Sequence, residues 1–90
     1  MPNLSRVGDK NEAGGAIMRG AKTVIASGKQ VGLHVSQITP HSPWESPHDA
    51  ATTTSASPSV FAEGVAVLRI TSGNSCGHSI VEGSPDVFVP

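Results

Sequence analysis

Four side chains in this sequence suit a transition metal: His41, His48, Cys76 and His78. They fall in two loops, "PHSPWESPH" at 40–48 and "SCGH" at 75–78. The pattern is H-x6-H, a gap of 27 residues, then C-x-H. One thiolate and three imidazoles suit zinc, which takes four tetrahedral N/S ligands in closed structural sites. Iron or copper uses similar atoms, so zinc is inferred from ligand type. The interval is not that of a zinc finger. What marks the set is placement, because only His34 of the four histidines lies elsewhere. A lone cysteine often behaves as a small buried hydrophobe, and that reading of Cys76 stands beside the metal one. Three ligands plus a water would instead make a hydrolytic site. Glu45 or Asp49 would then serve as acid or base, or equally as an acceptor for a histidine N–H. Four candidate protein donors favour the closed site. No oxyanion-hole motif accompanies Cys76 and His78 to suggest a nucleophile and base. His34 sits in a predicted strand on the face opposite Val31, Leu33 and Val35, which reads as a surface or packing position.

The scaffold that must position these donors is small. Ninety residues predict one domain, 1–90. With two Phe, one Trp and no Tyr, the core lacks the side chains that bury most area. Small cores of this kind need a disulfide, a metal or a partner. A single cysteine excludes an internal disulfide. The net charge of −1 with scattered Lys and Arg gives no basic stripe for nucleic acid. No apolar run approaches the roughly 18 residues of a membrane helix. The N-terminus "MPNLSRVGDK" lacks the apolar centre of a secretory signal, which predicts synthesis in the cytoplasm.

Ten Gly and seven Pro cut the chain into short pieces. Apolar, β-branched runs bounded by Gly, Pro and Ser predict strands at 23–27, 31–35, 59–63, 65–70 and 86–89. "IASGKQV" and "FAEGVAV" each carry Gly where a hairpin reverses. Gly14-Gly15 lacks the GK[ST] ending of a phosphate loop and reads as a turn or close backbone packing. "ATTTSASPS" at 51–59 reads as a connecting loop. "GAKTVIASGKQVGLHV" from Gly20 aligns with "ASPSVFAEGVAVLRIT" from Ala56 at an offset of 36. At an offset of 63, Arg6 falls on Arg69, Gly14 on Gly77 and Ile17 on Ile80. A third copy starts with "GSPDVFV" at Gly83, and the N-terminus supplies its other half. The expected architecture is all-β, a hairpin unit used three times with the chain ends interleaved. Each unit is too small to bury its own face, so the copies must pack together.

These residues resemble the PAAR-repeat family, the tips of contractile injection spikes. The likeness rests on "RVGD" at 6–9, "GGAIMRGAKTVIASGK" at 14–29, "TPH…PH" at 39–48, "SPSVFAEG" at 57–64, "SCGH" at 75–78 and "GSPDVFV" at 83–89. The name-giving Pro-Ala-Ala-Arg is degenerate, with "KQVGL" and "VAVLR" in its place, and Ala13 stands where many relatives carry His. The resemblance implies a cone of short hairpins with pseudo-threefold symmetry and a metal near its apex. It maps the family's zinc ligands onto His41, His48, Cys76 and His78. It also implies one cone per trimeric β-helical spike, no enzyme activity, and transient contact with a target cell envelope. The chain stops at Pro90, directly after the third copy, which points to a phage baseplate tip in the virion. A type VI secretion tip that recruits separate effectors is the alternative, and a small zinc hydrolase another.

Overall fold

A computed structural model describes residues 2–41 and 51–90. Trp44, Glu45, His48 and Asp49 lie outside the described residues. Among those described there is no helix. Two antiparallel hairpins are formed, β1 (Gly20–Ala26) with β2 (Lys29–Gly32), and β3 (Phe61–Ala62) with β4 (Val65–Ala66). Each turns on two residues of positive φ, Ser27 (50°) and Gly28 (82°) in the first, Glu63 (53°) and Gly64 (79°) in the second. A two-residue turn of that kind follows the strands' natural twist. The glycine takes the second positive φ without steric cost.

The three copies close on one another. Ser5 N–H donates to Leu68 O (2.9 Å), Leu68 N–H to Gly32 O (2.8 Å), and Gly32 N–H to Ser5 O (2.9 Å). This closed triangle encircles a pseudo-threefold axis. A second triad repeats the pattern one step away: Val7 to Gln30, His34 to Ala66 and Ile70 to Asn3, each 2.9 Å. Antiparallel bridges Arg6–Val31, Leu33–Val67 and Arg69–Leu4 link the same three segments in a ring. Further along, Ile17–Ile38, Thr53–Asn74 and Ile80–Asn11 form another ring. Backbone amides are thereby satisfied by neighbouring copies.

The third copy is made from both ends of the chain. Asn3 bridges Phe88, Leu4 N–H donates to Val87 O (2.8 Å), and Val89 N–H to Pro2 O (2.9 Å). The run 86–89 forms a single bridge instead of the predicted strand, because Pro2 opposite Val89 has no N–H to complete a second rung. The predicted strand 31–35 is also shortened. Beyond Gly32 the chain keeps one bridge at Leu33 and bends at Val35, whose φ is 60°. Gly8 (92°) and Thr71 (85°) bend at the matching places in the other copies. The stretch 51–59 is more than a connection, since Thr52 bridges Gln37 and Thr53 bridges Asn74.

Two apolar clusters stack along the axis. The base cluster gathers Leu4, Val31 and Val67 with Ala26, Ala62 and Val89. The tip cluster gathers Ile17, Ile38, Ala51, Leu68 and Ile80, with Cys76 packed against it. The molecule measures 32 × 23 × 21 Å along its principal axes. "RVGD" closes the first copy. The Arg6 Nε and Nη2 groups fork onto the two Asp9 oxygens (3.0 and 3.2 Å), and Arg6 N–H also donates to Asp9 (2.7 Å). Two more guanidinium hydrogens reach the carbonyls of Ser27 and Gly83. This buried pair is hydrogen-bonded through both partners, as a buried charge requires.

Candidate metal centre

Each copy ends in a tip hairpin, bridged at Lys10–Ala16, Gln37–Thr52 and Gly73–Ser79. The second and third of these hairpins carry the donors. His41 lies in the second, 2% exposed, between Ile38 and Ala51. Cys76 and His78 lie in the third, where Asn74 N–H donates to His78 O (2.8 Å) and Gly77 turns at φ 93°.

The three donors converge. One ligand atom from each of His41, Cys76 and His78 lies within 4.8 Å of the others. His41 Nε2 is 3.3 Å from Cys76 Sγ. The His41 and His78 rings meet edge to face, centroids 5.4 Å apart. Zinc bonds of about 2.0–2.1 Å to nitrogen and 2.3 Å to sulfur set tetrahedral neighbours roughly 3.5 Å apart, so the spacing fits a metal held between the loops. The tautomer fits as well. His41 Nδ1 is 2.8 Å from the carbonyl of Thr39. A carbonyl only accepts, so Nδ1 carries the proton and the Nε2 lone pair is left towards Cys76.

The first hairpin has no donor in the matching places. Offset by 63, Ala13 falls on Cys76 and Gly15 on His78. Gly15 yields its space to the second loop: a Cβ there would lie 2.4 Å from His41 Nδ1 and 2.6 Å from Ile38 Cγ2. The close-packing reading of Gly14-Gly15 therefore holds at Gly15. His34 stays away from the donors, with Nδ1 3.2 Å from Thr53 Oγ1.

The PAAR motif profile matches residues 7–82. The chain belongs to the PAAR-motif family. No curated protein matches it. The PAAR motif supports a spike-tip role in phage or type VI secretion machinery, and the fold is the family's small cone. No helix among the described residues is long and apolar enough to cross a membrane.

Among the described residues the carboxylate at the site is Glu12, which the sequence reading did not single out. Its Oε1 lies 3.8 Å from His78 Nδ1. The offset of 63 that aligns Gly14 with Gly77 also lays Glu12 on Ser75 and Gly15 on His78. Reading that alignment residue by residue, from two before Gly14 to one after it, places both against the third copy's donor loop.

Proposed function

We propose that this PAAR protein is a single-domain, metal-stabilised spike tip that caps a trimeric β-helical spike and sharpens it for envelope piercing. The observation that carries the reading is at the base. Ile25, Phe61 and Phe88 occupy matching places in the three copies, each in an antiparallel pair, with Gln30, Ala66 and Asn3. All three are about half exposed or more, at 56, 61 and 49%. Isolated exposed apolar residues are common on proteins, whereas three related by a pseudo-threefold axis match the symmetry of a trimer.

At the opposite end, His41, Cys76 and His78, with His48 as fourth ligand, would hold one zinc ion. Zinc there would cross-link two tip loops with coordinate bonds. Structural zinc contributes about 10–16 kcal/mol of apparent binding free energy in small peptides. That scale suits a tip too narrow for a large core. The role is structural and non-enzymatic. The protein acts in a phage virion after synthesis in the bacterial cytoplasm.

Co-expression with a trimeric spike tests this reading. Native mass spectrometry should find one cone per three spike chains, with one zinc. A cone that stays alone with every spike offered rejects the capping role.

A further inference from the structure

The tip hairpins share one hydrogen bond whose acceptor changes in an informative way. Ala16 N–H donates to Thr39 Oγ1 (2.9 Å), Thr52 N–H to Ser75 Oγ (3.1 Å), and Ser79 N–H to Glu12 Oε1 (3.0 Å). Two of the three copies make this bond with a short hydroxyl. The third uses a carboxylate on a longer arm. The residue preceding the capped amide is Gly15, Ala51 and His78 in turn. The carboxylate is found only where that residue is a histidine.

We propose that Glu12 is a positioning residue for His78. The Ser79 amide anchors its Oε1, which then faces His78 Nδ1 at 3.8 Å. His78 Nε2 is buried. At 3.8 Å the carboxylate is beyond hydrogen-bond reach, but its charge favours the proton on the facing Nδ1 and so leaves the Nε2 lone pair for a metal. The Thr39 carbonyl does the same for His41 by direct hydrogen bonding at 2.8 Å. Both histidines would then present Nε2 to the ion, each oriented by an oxygen from outside the ligand set. For His78 that oxygen comes from the hairpin that supplies no ligand, so all three copies take part in the centre. The inference rests on the reading of these loops as a metal site.

The test is zinc affinity of the purified full chain, measured by competition with a chromophoric chelator. Glu12→Thr reproduces the cap that Thr39 makes but cannot reach His78. Its thermal midpoint in chelator should equal that of the wild type. Its zinc dissociation constant should rise about tenfold, the low end of such effects, because Glu12 is 58% exposed. Its cobalt-substituted form should show shifted visible bands. Glu12→Gln keeps the length and the cap without the charge, and should fall between the two. Wild-type zinc affinity and an unchanged cobalt spectrum in both variants would overturn the proposal and leave the metal site standing. A wild-type protein that takes up no zinc would overturn both.

Discussion

Gly15 and His41 occupy one space: the missing side chain of the first is filled by the ring of the second. A Cβ on residue 15 would meet His41 Nδ1 at 2.4 Å and His41 Cγ at 2.9 Å. The ring is held by the Thr39 carbonyl and is 2% exposed. Gly15→Ala should therefore cost about 1–3 kcal/mol, the scale of overpacking a tight core, and weaken zinc binding. Thermal melts with and without zinc check this, and an unperturbed variant would refute the packing argument.

Metal removal should loosen the tip before the base. The base cluster and its ring of backbone bonds need no ion, whereas His41 and Cys76 join two hairpins. Cys76→Ser, or excess chelator, should lower the thermal midpoint. It should also speed amide exchange at Ile38 and Asn74 more than at Val31 and Val67. Equal exchange in all four amides would argue against a clasp at the tip.

The base ring should matter to a partner and little to the isolated cone. Replacing Phe61 and Phe88 by Ser removes exposed side chains, so stability should move by less than about 0.5 kcal/mol per site. Affinity for a cognate trimer should fall by at least about 30-fold, the effect of losing one interface anchor. Unaltered spike binding would place the docking face elsewhere.

Arg69 occupies the place of Arg6 without its carboxylate. Ser72 stands where Asp9 would be and accepts the Arg69 N–H (3.0 Å). The Arg69 Nε is buried with no hydrogen-bond partner among the described residues. Ser72→Asp should keep the amide bond, as Asp9 does for Arg6, and add an ion pair worth about 1 kcal/mol. The thermal midpoint should rise by a few degrees. A fall would show that the two guanidinium groups are not equivalent.

Acid should loosen the base. Glu63 accepts from the Thr23 hydroxyl (2.6 Å) and amide (2.9 Å), and these bonds hold its pKa below the usual range. Asp86 is lowered by the Ser84 and Ser27 hydroxyls, each at 2.8 Å. The Thr23–Glu63 bonds tie β1 to the turn of the second copy, and the Ser27–Asp86 bond ties the first turn to the C-terminal run. The folded carboxylates bind protons less readily than the unfolded chain does, so protonation favours unfolding. Their contribution is complete above about pH 4.3 for Glu63 and 3.9 for Asp86, and is lost as pH falls through the lower folded values. Glu63→Gln with Asp86→Asn should flatten the melting profile in that window. A profile identical to wild type would remove these two groups from the account.

What the sequence determined is local. Gly28 and Gly64 announce hairpins because a two-residue reversal needs positive φ. The offsets of 36 and 63 disclose three copies with the ends interleaved, since matching residues do matching jobs at matching places. Donor chemistry singled out His41, His48, Cys76 and His78, of which the three described residues converge. Only the tertiary structure decided how the copies differ. Ser5, Gly32 and Leu68 share one triangle of hydrogen bonds, yet only Leu68 sends a large side chain inward. A Cβ on Gly32 would lie 3.3 Å from Leu68 Cδ1. Three leucines cannot share one axis, so identical repeats would clash where unlike residues interlock. For the same reason Gly15 faces His41, and Glu12 comes to lie beside His78. These contacts join residues far apart in the chain, and their geometry exists only after the rings between copies have closed.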